Sequence, residues 1–300
     1  MECSIEKILT ICYDIAESEA KRVEKSTFNR KPFNILWLVL TAAYVIWMTF
    51  FLKYDTYPGA ETGINGSKTV YILWTVFSTI ALLMFPIYIK LFLGEKEPGK
   101  GLRIFCLVNL IYGCVFVTWY GFFLNPFDYT ASMIGLEYPW HFKMWGLFAS
   151  LSVFTNVLYA YRMNNFFSKA GVACASLGCA AIFVTINVPS AGEDLILNSL
   201  RCMSHWTGAL LFAFLMAASI VIFLVHQAKQ KSVPYIVVTV IFGAILVLML
   251  VLLATIGKDG VIEGLPMWAA YLVLFLINFT GLFRGKDTSA LEQPKETVTK

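Results

Sequence analysis

The sequence predicts an all-α protein: a polytopic integral membrane bundle of eight transmembrane helices with both termini in the cytoplasm. Three observations support this prediction. Only 14% of the 300 residues are charged and 58% are hydrophobic, whereas about a quarter of the residues of a soluble domain are charged. Eight apolar runs are long enough to cross a bilayer. Lysine and arginine, finally, are distributed unequally between alternate connecting segments.

Each apolar run reaches the roughly 20 residues that a helix needs to cross the hydrocarbon core of a bilayer. Together the runs take up most of residues 33–284, which we therefore predict to be one eight-span membrane domain. We place the spans at Phe33–Leu52, Thr69–Phe92, Leu102–Leu124, Phe142–Tyr161, Ala170–Val188, Leu195–Val225, Tyr235–Ile256 and Leu265–Phe283.

The connecting segments indicate the orientation of the chain. If the N-terminus is cytoplasmic, the inner segments carry 18 of the 23 lysine and arginine residues. Such an excess on the inner side is typical of membrane proteins, and the loss or gain of one span would break the alternation. The loop asymmetry also accounts for the net charge of +4, so no nucleic-acid partner is indicated.

Two terminal segments flank the membrane domain. Residues 1–32 carry apolar residues at helical spacing, among them Ile5, Leu9 and Cys12. This pattern predicts a cytoplasmic amphipathic helix that lies along the inner membrane interface or packs on the inner loops. The same segment lacks the apolar core of a cleaved signal peptide, so none is expected. Residues 285–300 are polar and are predicted to be a disordered cytoplasmic tail.

The interiors of the spans carry almost no ionisable side chains. Proton-coupled transporters usually place acids or bases near the middle of the membrane. The sequence therefore predicts a protein that is not proton-coupled. A path for a lipid or a neutral solute remains compatible with this composition.

The sixth span carries a polar stripe on its outer half. Ser190 and Glu193 fit a capping box, which predicts that the helix begins there, outside the membrane. Counted from that start, four polar residues fall near one face of the helix. They are Asp194, Asn198, Arg201 and His205.

The fourth span carries a second stripe at the same outer level. Pro139 fits the first turn of a helix. The stripe that follows contains His141, Trp145 and Ser152, with Glu137 beside its start. Because spans 4 and 6 both enter from the outer side, His141 and His205 are expected at similar depth.

These stripes and Arg201 motivate the leading functional hypothesis, an outward-facing polar vestibule between spans 4 and 6. It would bind, sense or move a lipid or another amphiphile. The expected partners are the bilayer and such an amphiphilic small molecule, and the oligomeric state is left open. The ligand-binding candidates are His141, His205, Arg201, Asn198, Asp194, Glu137, Trp145 and Ser152.

Two alternatives remain open at this stage. The first is a membrane enzyme at the same place, with a histidine as acid or base and Arg201 on an anionic headgroup. His141 and His205 could also ligate zinc, or haem as a bis-histidine pair. No HxxxH, HExxH or GxSxG pattern supports these sites, so no cofactor is assigned. The second alternative is a structural or accessory subunit with interfacial histidines.

Overall fold

The computed structural model describes residues 30–50, 68–92, 98–188, 197–230 and 233–283. Within these ranges the chain folds into nine α-helices and one 3-10 turn, without a β-strand. The helices are α1 Arg30–Phe50, α2 Lys68–Phe92, α3 Lys100–Gly121, α4 Ala131–Glu137, α5 Pro139–Met163, α6 Lys169–Asn187, α7 Leu197–Lys229, α8 Val233–Thr255 and α9 Gly260–Phe279, and the 3-10 turn is Gly281–Phe283.

The long helices coincide with the predicted spans, one helix to each span. Six of them, α2, α3, α6, α7, α8 and α9, are long and apolar enough to cross a membrane. The chain is thus a helical, multi-pass integral membrane protein. The described apolar part of α1, Pro32–Trp47, is shorter. The count of exactly eight spans and the cytoplasmic position of the termini remain predictions.

Helix α5 is the central helix of the bundle. This position explains why α5 is less hydrophobic than the other long helices. It packs against α2, α3, α4, α6, α7 and α9, and 17 of its 25 residues are buried. A helix that other helices surround has little contact with lipid. Its polar side chains can therefore be satisfied by protein partners, and the helix need not be uniformly apolar.

Polar contacts connect α5 to α3 and α9 in the middle of the bundle. The Asn156 amide donates to the carbonyl oxygen of Cys106, and the Asn278 amide donates to the carbonyl oxygen of Asn156. Ser152 and Tyr271 share a hydrogen bond of 2.7 Å between their hydroxyls. Each of these side chains is almost completely buried. Buried polar groups persist when they are paired in this way, and they fix the relative position of the three helices.

Helices α6 and α7 form the closest helix pair. At Gly208 of α7 an added Cβ would lie 2.5 Å from the Thr185 hydroxyl and 2.8 Å from the carbonyl oxygen of Ala181. The absent side chain therefore allows the two backbones to approach each other. The Ser219 hydroxyl donates to the carbonyl oxygen of Gly171 across the same interface.

Most of the predicted terminal segments lies outside the described residues. Of the amphipathic segment predicted at residues 1–32, residues 1–29 are outside them and residues 30–32 form the start of α1, and the tail predicted at residues 285–300 is wholly outside them. The capping box from Ser190 to Glu193 also lies outside them. The described part of α7 begins at Leu197.

We predict that Gly208→Ala destabilises the protein and that Gly243→Ala does not. A methyl group at residue 208 meets backbone and hydroxyl atoms of α6, and overpacking of this kind costs about 1–3 kcal/mol. No atom lies within 4 Å of the corresponding position at Gly243 in α8. Thermal unfolding of the two variants in detergent measures the difference. Equal melting temperatures would contradict the close α6–α7 contact.

Candidate functional site

A cavity of about 190 Å³ lies between α5, α7, α8 and α9. It extends from the end of the bundle where α3 and α8 end and α5, α7 and α9 begin to the level of Ile220 and Phe242. We call this end the Lys258 end. The cavity is thus lined by the helices of the predicted fourth and sixth spans, and the helices of the seventh and eighth spans complete it.

The walls of the cavity are apolar. Phe212, Met216 and Ile220 follow one another at intervals of four residues on α7, so they share one face of that helix. Phe242 and Leu253 of α8 line the cavity from the other side. Such walls suit a hydrocarbon chain, because its burial removes apolar surface from water without leaving a polar group unpaired.

The cavity opens to the side of the bundle between α7 and α8. Leu210 of α7 and Leu250 of α8 both line it. They are also 59% and 57% exposed on the outside of the bundle. Side chains that border a cavity and the outer surface at once mark its edge. In a membrane protein, this edge faces lipid rather than water.

Charged and polar side chains meet at the Lys258 end of the cavity. The Lys258 ammonium forms an ion pair of 2.8 Å with Glu263 and donates to the Ser132 hydroxyl at 3.2 Å. It also lies 3.9 Å from the ring centroid of Trp206, within the range of a cation–π interaction. All four residues line the cavity, which is thus amphipathic.

The backbone around this ion pair holds it in place. The second carboxylate oxygen of Glu263 accepts a hydrogen bond from the backbone N–H of Ala131, at the start of α4. Asp259 caps α9 by accepting from the N–H of Ile262. Gly260 donates to the carbonyl oxygen of Pro126, and an added Cβ there would lie 2.6 Å from a neighbouring carbonyl oxygen. The loop between α8 and α9 is therefore fixed against the loop that precedes α4.

His205 connects the cavity to the end of α6. Its Nδ1 lies 3.0 Å and 2.7 Å from the carbonyl oxygens of Thr185 and Val188. Both partners are acceptors, so Nδ1 carries a proton and donates it. The Thr185 carbonyl also accepts from the backbone N–H of Val188. The Val188 carbonyl lies beyond the last residue of α6, where carbonyls lack partners within the helix, and the imidazole donates to it. The His205 ring also stacks on Phe142 with 6.0 Å between centroids and lines the cavity.

Of the other candidates from the sequence, Trp145 also lines the cavity. Its ring stacks on Phe142 with the planes 9° apart. Trp145 and His205 therefore flank the same phenylalanine. At Phe142 the helices of the predicted fourth and sixth spans are in contact.

His141 lies elsewhere. Its ring packs against Trp119, Phe123 and Tyr138, at centroid distances of 5.8–6.1 Å. His141 and His205 thus have different neighbours. The reason is helical geometry: adjacent residues point in different directions, so Phe142 faces His205 while His141 faces α3. Within the described residues, no group of three or more His, Cys, Asp or Glu side chains is arranged to hold a metal ion.

The remaining candidates have other positions. Ser152 is buried and bonds to Tyr271 in the contact between α5 and α9. Glu137 is exposed at the end of α4. Asp194 lies outside the described residues. Asn198 and Arg201 lie in the first turns of α7, and their side chains are outside the described ones.

Sequence reasoning missed Lys258, Glu263 and Ser132 as site residues. A signal was present, because the short link between the last two spans concentrates Lys258, Asp259 and Glu263 in an otherwise apolar region. Because this connection is short, its charged residues must lie at the end of the bundle, close to the ends of the helices that it joins.

A second buried polar cluster lies between α1, α2, α5 and α6. The side-chain oxygen of Asn187 accepts hydrogen bonds from Trp74 and from Lys143. The Asn187 amide donates to the Tyr44 hydroxyl, which bonds to Ser78. We interpret this cluster as structural, since it ties four helices together.

Comparison of the chain with protein-family models, with curated proteins and with solved structures gives no match. The fold therefore defines the class: a helical multi-pass membrane protein with an amphipathic cavity between its helices.

We predict that His205→Ala lowers the stability by about 1–3 kcal/mol, because the buried carbonyl of Val188 loses its imidazole donor. His205→Asn should recover part of this loss, because its amide offers a donor close to the position of Nδ1. His226→Ala is the matched control, as His226 is exposed at the other end of α7. Thermal unfolding in detergent is the measurement. Equal effects of the two alanine variants would refute the role of His205 at the end of α6.

For the second cluster we predict coupling between Asn187 and Lys143. Asn187→Leu removes the oxygen that both Lys143 and Trp74 bond to and should cost about 2–3 kcal/mol. Lys143→Met in the same chain should recover part of this loss, since the lysine that would lose its bond to Asn187 is then absent. A double-mutant cycle of unfolding free energies measures the coupling. Strict additivity of the two substitutions would contradict it.

Proposed function

We propose that the cavity binds a single-chain amphiphile that enters sideways from the bilayer. The observation that carries the proposal is the division of one cavity into an apolar wall and a charged end. Phe212, Met216 and Phe242 form the wall, and Lys258 with Glu263 forms the end. A molecule with a hydrocarbon chain and a polar headgroup has the same division.

The volume supports one chain rather than two. Pockets for drug-sized ligands enclose about 300–1,000 Å³, and a dry protein cavity of about 150 Å³ holds benzene. A cavity of about 190 Å³ lies between these values. It has room for a small headgroup and one short chain that reaches towards Met216 and Phe242, while a longer chain can extend through the edge between Leu210 and Leu250. A two-chain phospholipid would not fit inside.

The proposal keeps the eight spans and cytoplasmic termini that the lysine and arginine distribution predicts. In that orientation the Lys258 end faces the outside of the membrane. The headgroup would lie at the outer interface, and the chain would lie parallel to the outer-leaflet lipids. The protein would bind or move the amphiphile at this level.

Photo-labelling tests the proposal. Three decyl probes with a diazirine near the end of the chain, and with hydroxyl, carboxylate or trimethylammonium headgroups, are incubated with the protein in lipid nanodiscs. We expect at least one probe to label Met216 or Phe242 saturably. Both side chains are buried, so bulk lipid on the outside of the bundle does not reach them. Labelling of the exposed residues Leu36 and Val39 on α1 reports the non-specific background.

Two matched variants sharpen this test. Ala213 lines the cavity and Ala218 on the same helix does not. Ala213→Phe should fill the cavity and remove the saturable labelling, and Ala218→Phe should leave it unchanged. If all three probes label α1 and α7 alike, and if Ala213→Phe has no effect, the cavity does not bind a single-chain amphiphile.

A further inference from the structure

The charges at the end of the cavity already satisfy one another. The Lys258 ammonium has three N–H groups and three neighbours that attract them: Glu263 at 2.8 Å, Ser132 at 3.2 Å and the Trp206 ring at 3.9 Å. The other oxygen of Glu263 is bonded to the N–H of Ala131. The pair thus has no net charge, and each member has its hydrogen-bonding partners inside the protein.

A charged headgroup would disturb this arrangement. An anion could pair with Lys258 only in competition with Glu263, and a cation could pair with Glu263 only in competition with Lys258. In either case one charge of the three would be left without a counter-charge in a partly buried place, and an unpaired buried charge is strongly unfavourable. A neutral headgroup avoids this cost.

The polar groups that remain can bind a hydroxyl. Because His205 donates its Nδ1 proton to the carbonyl oxygens of α6, the Nε2 of the neutral ring is an acceptor. The ring lines the same cavity as Ser132, and the Ser132 oxygen can accept a second hydrogen bond. A hydroxyl can donate to either acceptor and needs no counter-charge.

We propose that the Lys258–Glu263 pair makes the cavity selective for a neutral, hydroxyl-bearing amphiphile of the long-chain alcohol class. This inference rests on the proposed function. Each member of the pair excludes one sign of charge: Lys258 excludes cationic headgroups and Glu263 excludes anionic ones. Removal of one member should therefore change the preferred headgroup in a defined direction.

The experiment compares decanol, decanoate and decyltrimethylammonium as competitors of the saturable photo-labelling, at a pH where decanoate is ionised. For the unaltered protein we expect decanol to compete at the lowest concentration. Lys258→Met leaves the Glu263 carboxylate without its cation and should favour decyltrimethylammonium by about ten-fold. Glu263→Gln leaves the lysine without its anion and should favour decanoate by about ten-fold. Both factors correspond to about 1.4 kcal/mol, close to the lower end of the coupling energies of close charge pairs at interfaces.

Three controls make the result specific. Lys229→Met and Glu137→Gln change the net charge by the same amounts at exposed residues outside the cavity, so they should leave the order of competitors unchanged. The double variant Lys258→Met with Glu263→Gln removes both charges of the pair. The end of the cavity is then neutral again and should prefer decanol. Melting temperatures establish that each variant is folded. Where a single variant does not fold, the double variant still tests the inference.

The outcomes separate this inference from the proposed function. Saturable labelling that a charged competitor displaces best in the unaltered protein would overturn the selectivity for neutral headgroups and leave amphiphile binding in place. An unchanged order of competitors in Lys258→Met or in Glu263→Gln would do the same, and so would a charged competitor that displaces the label best in the double variant. Absence of saturable labelling by any probe would overturn the proposed function itself, and the inference with it.

Discussion

Within lipid, each polar group needs a partner from the protein, and in this bundle the requirement falls mainly on α5. Its asparagine, serine and lysine side chains are buried and cannot reach water. Ser152 bonds to α9, Asn156 to the backbone of α3, and Lys143 to Asn187 of α6. These contacts are directional, so they fix not only which helices surround α5 but also their depth and rotation.

Helix α8 makes a polar contact of this kind in its first turn, where the Tyr235 hydroxyl donates to Asn164 at the end of α5, and the rest of the helix is almost entirely apolar. It is the most hydrophobic of the apolar helices, with a mean hydropathy of 3.3, and the fewest of its residues are buried. It packs on α7 and α9 largely through apolar side chains, which contribute contact area but little direction. The cavity lies against this helix. We see a common cause: where polar bonds do not draw a helix inwards, space remains between it and the bundle.

The helices could be predicted from the sequence because an apolar run of about 20 residues is an unambiguous signal, whereas the seven residues of α4 carry none. The site could be predicted only in part. Stripe analysis identified Trp145 and His205, which line the cavity. The stripes did not show whether His141 or Phe142 faces α7, because a rotation of α5 by one residue exchanges the directions of the two side chains. Lys258 and Glu263 lie on either side of a loop-to-helix boundary, where helical periodicity gives no information.

The ion pair also decides how the cavity can be entered. Lys258 comes from the loop after α8, and its partners Ser132, Trp206 and Glu263 come from α4, α7 and α9. Four segments that no continuous helix connects are thus held together at one point, across the end of the bundle. Opening that end would separate charges and a cation–π contact, which is costly where water is scarce. At the side between Leu210 and Leu250, the contacts that must separate are apolar. Lipid chains can replace these contacts with little cost in free energy. For the amphiphile that we propose, the easiest route of the hydrophobic chain is therefore through the side, and its polar group would stop at the closed end.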